Sequence, residues 1–538
     1  MIQSKKILFH LKKDLVNWNT NYYFGINESK YSFSSKQYEL KFWKDIFEEK
    51  SIIKVVTNSK ETYKILKSNG ITLEGIWDVN IADFLITGEH FDIKEILSRH
   101  NCSMFELHEK QNLELEKNSL EKVAKLEMAA VPAFGDIEFY GMSLDANKWL
   151  SLFNINSNEL VQTKNFLDNY IISSHLYSCE NLNWNSTREV SAVLKEIFPE
   201  IKDSSEEELE RISLKYPNNQ FIKILLKYRK LAKSIGTYGL SYVNHIDVIT
   251  NKFHPNLNQI GAVSGRPSSN RPNILNIPKK KEFRSCWKAD NNCKLIICDY
   301  SYCELAIAAY LSEDQNLIKA FNEGLDPHLL TASMLTNIEY SKALKLYEQK
   351  DEQIIEFRNI SKIFNFALIY GMSEKSMILK YNMQESLVNE FYQTYKKKYS
   401  RLIEWLESKG NSGLLDRKIK TKLGRIRKFN PDSSLNFSEK SDIKRASANT
   451  VVQGTSADIT KLAMVLIRNK VIKKKLYPNI RLYLQIYDEI IVHADEDLAI
   501  EAKIITESCM ERASNIILGE NFRIKAKAII SDNWGESD

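Results

Sequence analysis

Two adjacent acidic residues interrupt a stretch of sequence that otherwise has the composition of a buried β-strand. The stretch is LQIYDEIIVHA, residues 484–494, and the two acids are Asp488 and Glu489. A carboxylate that is buried in a sheet without a partner is strongly unfavourable, so it finds a compensating group or takes up a proton. Any fold of this chain must therefore bring a partner to these acids from elsewhere in the sequence.

A second acid stands at the end of another apolar run and is the first candidate for that partnership. In KLIICDYSYCELAIAAYLS, residues 294–312, a short strand ends at Asp299 and a helical pattern follows. An acid at the carboxyl end of a strand projects from a rigid element into a cleft. If the fold joins Asp299 to Asp488, their hard oxygen ligands favour Mg²⁺ over zinc. Taken singly, each acid is better explained by local structure, Asp299 as a helix cap and Asp488 in a hairpin turn.

A third segment carries cations and aromatic rings at helical spacing. In FRNISKIFNFALIYGMS, residues 357–373, every fourth residue belongs to one stripe, formed by Arg358, Lys362, Phe366 and Tyr370. Neighbours in the stripe are about 6 Å apart along a helix. A separate apolar face can pack in the core and consists of Ile360, Ile363, Phe364 and Ala367. Two cations followed by two rings match a nucleoside triphosphate. The alternative is that the residues form a basic stripe that is exposed to solvent.

In this order the three segments resemble the three polymerase motifs of family A DNA polymerases, the bacterial DNA polymerase I type. DYSYCELA (299–306) resembles the motif D-Y-S-Q-I-E-L-R, and QIYDE (485–489) resembles Q-V-H-D-E. The motif R-x-x-x-K-x-x-N-F-x-x-x-Y-G is met in full. Further similar segments are SGRPSSNRPNILNIP, DPHLLTAS, LGRIR and RASANTVVQGTSADI. The resemblance runs nearly continuously from about residue 120 to the C-terminus.

The resemblance implies an α+β multidomain protein with the right-hand polymerase fold. In that fold a palm with an antiparallel sheet is flanked by helical fingers and thumb, and a small N-terminal α/β domain resembles an RNase H-like 3′–5′ exonuclease. The implied divisions are the exonuclease-like domain at 1–115, thumb and connecting helices at 116–255, palm at 256–312, fingers at 313–435 and the second part of the palm at 436–538.

The resemblance also implies roles for individual residues. Two Mg²⁺ ions, for which Mn²⁺ can substitute, would be held by Asp299, Asp488 and the Tyr300 carbonyl. Glu489 would support these catalytic acids, and Lys362 would act as a general acid. The residues that would bind the incoming dNTP are Arg358, Lys362, Phe366, Tyr370, Glu304, His328 and Tyr302, with Glu304 excluding a ribose 2′-hydroxyl. The residues that would contact primer–template DNA are Arg266, Asn273, Arg445, Asn449, Gln453 and Tyr487.

The N-terminal segment resembles an exonuclease that has lost its acids. The catalytic Asp of the family aligns with Thr62, while His10 and Lys12 stand near the position of the first D-x-E pair. No Y-x-x-x-D occurs before residue 120. Since a two-metal nuclease needs its carboxylates, we predict that this domain has no proofreading activity. We also expect the family's separate 5′-nuclease domain to be absent.

The composition is compatible with a family A DNA polymerase but does not identify one. The net charge of +6 permits a polyanionic partner, and the seven cysteines contain no CxxC pair, which predicts reduced thiols. No stretch approaches the roughly 18 apolar residues of a membrane span, so we expect a soluble, cytoplasmic monomer, or one in a host cytoplasm if the gene belongs to a phage.

Several residues depart from the family motifs, namely Tyr302, Cys303, Ala306, Ala367 and Tyr487. These departures concern fidelity and nucleotide choice, since no metal ligand or phosphate-binding cation is among them. Two alternative functions remain, that of a single-subunit RNA polymerase and that of a family member that only binds DNA. Glu304 argues against the first, and the combined presence of Asp299, Asp488 and the Arg358–Lys362 pair argues against the second.

Overall fold

The computed structural model describes residues 6–11, 22–26, 29–33, 40–174, 182–381, 383–430 and 434–536. Lys12, one of the residues near the lost D-x-E pair, lies outside the described residues, as does Cys179. The other six cysteines are all free thiols, as predicted. Within the described ranges, none of the helices combines the length and apolar character that crossing a membrane requires.

The N-terminal part of the chain forms a five-stranded mixed sheet with helices packed beside it. Its strands are β1 (Lys6–Leu11), β2 (Tyr22–Ile26), β3 (Ser29–Phe33), β4 (Ile53–Val56) and β5 (Ile76–Asp78). The order is β3-β2-β1-β4-β5, with β1, β2 and β3 antiparallel and β1, β4 and β5 parallel. Its helices are α1 (Leu40–Phe47), α2 (Ser59–Ser68), α3 (Val79–Thr87), α4 (Ile93–His100) and α5 (Met104–Asn118). This is the small α/β unit that the sequence predicted.

A long helical region follows and has an apolar cluster of its own. Its elements are α6 (Glu121–Tyr140), β6 (Ser143–Leu144), α7 (Ala146–Ser173), α8 (Thr187–Ile197), α9 (Glu206–Lys215), α10 (Gln220–Tyr238) and α11 (Ser241–Asn244). In α10 the residues Phe221, Ile222, Leu225 and Tyr228 recur at helical spacing and are buried against α7 and α8. This cluster is separate from the large core of the protein.

The middle of the chain alternates short strands with many helices. The first group is β7 (Asn256–Asn258), β8 (Ser268–Asn270), α12 (Lys281–Arg284), β9 (Trp287–Lys288), β10 (Cys293–Tyr300) and α13 (Cys303–Ser312). The second group is α14 (Gln315–Glu323), α15 (Pro327–Thr336), α16 (Tyr340–Glu348), α17 (Glu352–Ile369), α18 (Glu374–Tyr381), α19 (Glu385–Lys398), α20 (Ser400–Asp416), β11 (Lys418–Lys420) and β12 (Ile426–Lys428). As predicted, helices dominate after residue 313.

The C-terminal part completes a four-stranded antiparallel sheet around β10. Its elements are α21 (Phe437–Lys473), β13 (Ile480–Ile486), β14 (Glu489–Asp495), α22 (Ala499–Leu518) and β15 (Ala526–Ser531). The sheet order is β13-β14-β10-β15, so β10 is a central strand, as its apolar sequence predicted. Because α22 packs on this sheet and on α21, residues 295–298 of β10 are all buried. The mixture of helices and mainly antiparallel strands agrees with the predicted α+β class, whereas the four boundaries between the five predicted domains stay predictions.

Candidate active site

The two predicted metal-binding acids lie next to each other at one end of the central sheet. Asp299 stands directly opposite Glu489 in the antiparallel β10–β14 pair, where facing Cα atoms are about 5 Å apart. Asp488 precedes Glu489 and, with Tyr487, forms the two-residue turn between β13 and β14. Asp488 therefore belongs to a turn and not to the strand interior. The sheet joins two residues that are far apart in the sequence.

The acids face a cleft in which their negative charges repel. Asp299 is exposed and Asp488 is half-buried. Loss of hydration in the cleft, followed by the charges of Asp488 and Glu489, raises the pKa of Asp299 well above its ordinary value. Burial likewise raises the pKa of Asp488, and the nearby Glu304 adds to this shift. Two crowded carboxylates of this kind favour a bound cation.

The protein offers few other metal ligands at this place. Among the residues that the structure describes, no group of three or more His, Cys, Asp or Glu side chains could hold a metal ion. Tyr300 follows Asp299 on β10, and its buried hydroxyl donates to the Met510 carbonyl at 2.6 Å. A cation between Asp299 and Asp488 would therefore be held by two carboxylates together with main-chain or water oxygens.

The third acid, Glu489, has a partner within the protein. Arg284 lies 3.2 Å from its carboxylate, and the Trp534 indole N–H donates to it at 2.6 Å. Burial raises the pKa of Glu489, and the positive charge of Arg284 opposes that shift. Glu489 thus stands behind the Asp299–Asp488 pair. Glu489 is thus compensated by a cation of the protein, whereas Asp488 faces a cleft.

Local structure accounts for one of the two acids only. The residue at the N-cap of α13 is Tyr302, which has a left-handed backbone with φ of 56°. Asp299 does not cap the helix, so the alternative explanation of Asp299 is wrong. The hairpin-turn explanation of Asp488 is right about its position, but the turn places it beside Asp299.

The predicted stripe of cations and rings lies along α17. Arg358 is half-buried, Lys362 is exposed, and the rings of Phe366 and Tyr370 stack with their centroids 6.3 Å apart. On the other side of the helix, Phe364, Ala367, Leu368 and Ile369 are buried in the core. The helix ends at Ile369, with Tyr370 as its C-cap.

Arg358 is held by an acid that sequence reasoning did not assign to the site. Its guanidinium donates to the Asp326 carboxylate at 2.8 Å and 2.7 Å from two nitrogens, and it lies 5.0 Å from the Tyr347 ring centroid. Asp326 also caps α15 by accepting from the backbone N–H groups of His328 and Leu329. The helix-cap pattern D-P-H before an apolar run was the available signal for this residue.

His328 and Tyr302 stand beside this cation. His328 is buried, and burial lowers its pKa far below the ordinary value, with Asp326 opposing that shift and Arg358 adding to it. The Asn365 amide nitrogen donates to Nδ1 of the ring at 2.8 Å, so the neutral imidazole carries its hydrogen on Nε2. The Tyr302 ring meets His328 edge-to-face at 5.2 Å.

Glu304 connects the stripe to a second arginine. The buried Glu304 carboxylate accepts a hydrogen bond from the Tyr370 hydroxyl at 2.7 Å and forms an ion pair with Arg266. The Arg266 guanidinium in turn lies 5.4 Å from the centroid of the Tyr487 ring. Four predicted site residues are thus linked in one row, which runs from the end of α17 to the turn that carries Asp488.

The remaining predicted DNA contacts are spread over two elements. Arg445, Asn449 and Gln453 recur every fourth residue on α21; Arg445 is exposed, and the other two are half-buried. The Asn449 amide oxygen is buried and has no hydrogen-bond partner among the described residues. The side chain of Asn273 accepts from the Leu275 N–H at 3.1 Å, so it caps a short 3₁₀ helix.

Lys279 is a further residue of the site that sequence reasoning missed. Its positive charge lowers the pKa of both Asp299 and Asp488, so it lies near the two acids. The side chain is exposed. The run of three lysines at 279–281 was the signal, but nothing in the run showed which lysine faces the acids.

In the N-terminal unit, the residues that resemble an exonuclease motif have local structural contacts. Thr62 is buried and donates to the Asn58 carbonyl at 2.9 Å, and the Asn58 side chain caps α2. The buried Asp78 carboxylate accepts from the backbone N–H groups of Ser59, Asn80 and Ile81. These contacts hold two helix ends in place and leave a threonine where the family motif has an acid.

Comparison with known proteins gives a family. The model of DNA polymerase family A matches residues 156–536, which is well over half of the chain. The DNA polymerase I of Borreliella burgdorferi is 28% identical across 96% of this chain and 59% of that protein. The DNA polymerase I of Bacillus subtilis is 29% identical across 78% of this chain and 47% of that protein. The chain spans about half the length of the curated relatives that it matches.

A solved structure gives the fold. The POL domain of Pol1 from M. smegmatis, in complex with DNA primer-template and dNTP, matches with a TM-score of 0.85 over 98% of this chain and 95% of that chain. The sequence identity is 20%, so this likeness concerns the fold alone. It confirms the predicted α+β polymerase fold.

Proposed function

The chain belongs to DNA polymerase family A, and on that basis we propose that it is a template-directed DNA polymerase without proofreading. It adds deoxynucleotides to the 3′-hydroxyl of a primer during DNA replication or repair. The observation that carries the proposal is the meeting of Asp299 and Asp488 at the end of the central sheet, in a molecule whose helix α17 presents two cations and two rings in a row. We also propose that the enzyme acts as a monomer.

The acid pair suits Mg²⁺, with Mn²⁺ as a substitute. The fit rests on two crowded carboxylates with raised pKa values which, unlike Glu489, form no ion pair with a side chain in the described ranges. Asp299 and Asp488, with the Tyr300 carbonyl, would hold two ions. When bound, Mg²⁺ makes the primer 3′-hydroxyl more acidic and neutralises charge on the triphosphate.

The stripe of cations and rings on α17 is suited to binding the incoming nucleotide. Arg358 binds the triphosphate oxygens with the pre-ordered planar fork that Asp326 holds in place, and Lys362 adds a second cation within one helical turn. Lys362 would also give a proton to the leaving pyrophosphate. His328 offers a neutral Nε2–H donor, while Phe366 and Tyr370 provide apolar faces for the sugar and the templating base.

The polar residues on α21 are suited to contacting the minor groove of the newly formed duplex. Every correct base pair offers hydrogen-bond acceptors in its minor groove at similar positions, so donors placed there test geometry and not sequence. Arg445, Asn449 and Gln453 are about 6 Å apart along one side of α21, and Arg266 lies beside Glu304 and Tyr487. These residues would contact template and primer close to the growing end.

Glu304 is expected to select deoxynucleotides over ribonucleotides. Its carboxylate is fixed by Tyr370 and Arg266, so it cannot easily move away from a 2′-hydroxyl. In E304A the preference for dNTPs, measured as the ratio of kcat/KM for dNTP to that for rNTP, should fall by about tenfold or more, because steric exclusion is lost. The assay is extension of a labelled primer–template by wild type and variant.

The matched control is E304Q, which keeps the size of the side chain and removes its charge. The E304Q variant should retain a much higher dNTP preference than E304A. Equal loss in both variants would show that charge, and not size, excludes the ribonucleotide. If the wild-type protein extended primers equally well with rNTPs, the single-subunit RNA polymerase alternative would be favoured.

Proofreading is expected to be absent. Thr62 carries no charge and its hydroxyl donates to the Asn58 carbonyl, while the Asp78 carboxylate already accepts from three backbone N–H groups. Neither position therefore offers a free carboxylate to bind a nuclease metal. A primer with a labelled, mismatched 3′ nucleotide should release no label in Mg²⁺ without dNTPs. The T62A variant should behave like wild type, and release of label above the no-enzyme blank would refute the prediction.

A further inference from the structure

Tyr487 has a backbone fixed by its position in a tight turn. It is the first of two residues between β13 and β14, its φ is 55°, and its carbonyl accepts from the Gln485 side chain at 2.5 Å. The Gln485 side chain is itself buried. The Tyr487 side chain is 47% exposed. The turn therefore fixes the backbone from which the ring projects, and the ring is only partly packed.

The Arg266 guanidinium contacts two groups, and the Tyr487 ring is one of them. The ring centroid lies 5.4 Å from the guanidinium carbon, within the range of a cation–π contact, and the Glu304 carboxylate pairs with the same guanidinium. Glu304 is held by Tyr370, at the end of the nucleotide-binding helix. A long, half-buried arginine side chain that could adopt many rotamers is thus held between an acid and a ring.

The backbone of Arg266 is also fixed. Its carbonyl accepts from the Ala262 N–H at 3.1 Å, and the preceding Gly265 has a φ of 85° and lies against the Arg425 side chain. A Cβ atom at Gly265 would lie 2.3 Å from Nε of Arg425, so this position requires glycine. What remains adjustable in Arg266 is its side chain, and Glu304 and Tyr487 are the groups in contact with its guanidinium.

We infer that Tyr487 is a positioning residue that holds Arg266 through the face of its ring and thereby makes extension depend on a correctly paired primer end. The inference rests on the proposed polymerase function and adds to it a residue that determines specificity. A correct terminal pair presents a minor-groove acceptor at the position that Arg266 can reach, and a mispaired end shifts that acceptor. An arginine released from Tyr487 tolerates the shift, so discrimination falls.

The structure separates this role from a second one, in which the Tyr487 hydroxyl donates directly to the primer. The face of the ring needs no hydroxyl, so Y487F retains the contact with Arg266, whereas Y487L keeps an apolar side chain of similar reach without a π face. If the hydroxyl is the important group, the two variants are equally impaired. The pair Y487F and Y487L therefore tests which atoms of the residue act.

The experiment measures kcat/KM for extension of matched and mismatched primer ends by wild type, Y487F, Y487L, R266A and the Y487L/R266A double variant. The ratio of mismatched to matched efficiency should rise about 3- to 10-fold in Y487L and stay near the wild-type value in Y487F. Because Tyr487 acts through Arg266, Y487L should change the ratio little further once R266A is present.

Three outcomes would overturn the positioning role alone, and a fourth would overturn the proposed function as well. Loss of discrimination in Y487F as large as in Y487L, or fully additive effects of Y487L and R266A, would overturn the positioning role while the polymerase function stands. An unchanged ratio in Y487L would do the same. If the wild-type protein extends no primer, the proposed function fails and this inference fails with it.

Discussion

Replacing Asp488 with asparagine is expected to abolish primer extension and, in metal-free buffer, to make the protein slightly more stable. The amide keeps the size of the side chain but carries no charge, so it binds Mg²⁺ much more weakly than a carboxylate does. Loss of several kcal/mol of transition-state stabilisation corresponds to a decrease of kcat on the order of 10³-fold or more. Extension of a labelled primer–template under saturating dNTP measures this decrease.

The gain in stability has the same physical origin as the loss of activity. Without a metal, Asp299 and Asp488 repel each other, and that repulsion contributes to the raised pKa of Asp299. D488N removes it, so the melting temperature in EDTA should rise slightly. The gain is at most about 1 kcal/mol, because Asp299 is exposed and water screens the interaction. Added Mg²⁺ should reverse the order by stabilising wild type and not the variant.

The matched control is D497N, which makes the same chemical change at an exposed acid on the short helical turn after β14. It should leave both extension and melting temperature near the wild-type values. Retention by D488N of more than about a tenth of wild-type extension would contradict the proposed role of Asp488. DNA binding by D488N, measured by fluorescence anisotropy, should persist, which separates loss of catalysis from loss of binding.

Local periodicity explains what could be predicted from the sequence. Arg358 and Tyr370 lie on one stripe because a helix has 3.6 residues per turn, whatever surrounds it. Asp299 could be placed at a strand end because apolar residues run up to it and a helical pattern follows. The meeting of Asp299 with Asp488 did not follow from periodicity, and it came from the resemblance of three ordered motifs.

The partners of charged residues were much harder to predict. Glu489 is paired with Arg284, and Arg425 contacts both Glu127 and Asp458, although these residues are far apart in the sequence. No periodic pattern connects such residues, because tertiary packing alone brings them together. The turn at Tyr487 was equally hidden, since a non-glycine residue with positive φ leaves no consistent signal in the sequence.

A strongly destabilising substitution is expected at Asp136, which joins the N-terminal unit to the rest of the protein. Its buried carboxylate, on α6, lies 2.9 Å from Lys67 Nζ and 2.8 Å from Arg468 Nε. It also accepts from the Tyr63 and Tyr477 hydroxyls at 2.6 Å and 2.9 Å. Lys67 and Tyr63 belong to α2, and Arg468 belongs to α21, so three elements of the fold share one acid.

In D136A the buried Arg468 and the half-buried Lys67 lose their counter-charge, and removal of one partner from a buried ion pair costs about 3–5 kcal/mol. The midpoint of urea unfolding, followed by tryptophan fluorescence, should fall accordingly. Burial opposes ionisation of Asp136, but Arg468 and Lys67 hold its pKa below the ordinary value. A lowered carboxyl pKa stabilises the fold above the unfolded pKa of about 3.9, and the difference between wild type and D136A should therefore persist from about pH 5 to 8 and shrink at lower pH.

Two further variants test the cause of that loss. E121A removes a half-buried acid from the first turn of the same helix and should cost less than about 1 kcal/mol, because only a helix-end charge is lost. Adding R468M to D136A removes one of the two uncompensated cations, so the double variant should be less destabilised than the sum of the single variants. Additive effects would mean that lost packing, and not unpaired charge, destabilises D136A, and the N-terminal unit would then be attached by its apolar contacts.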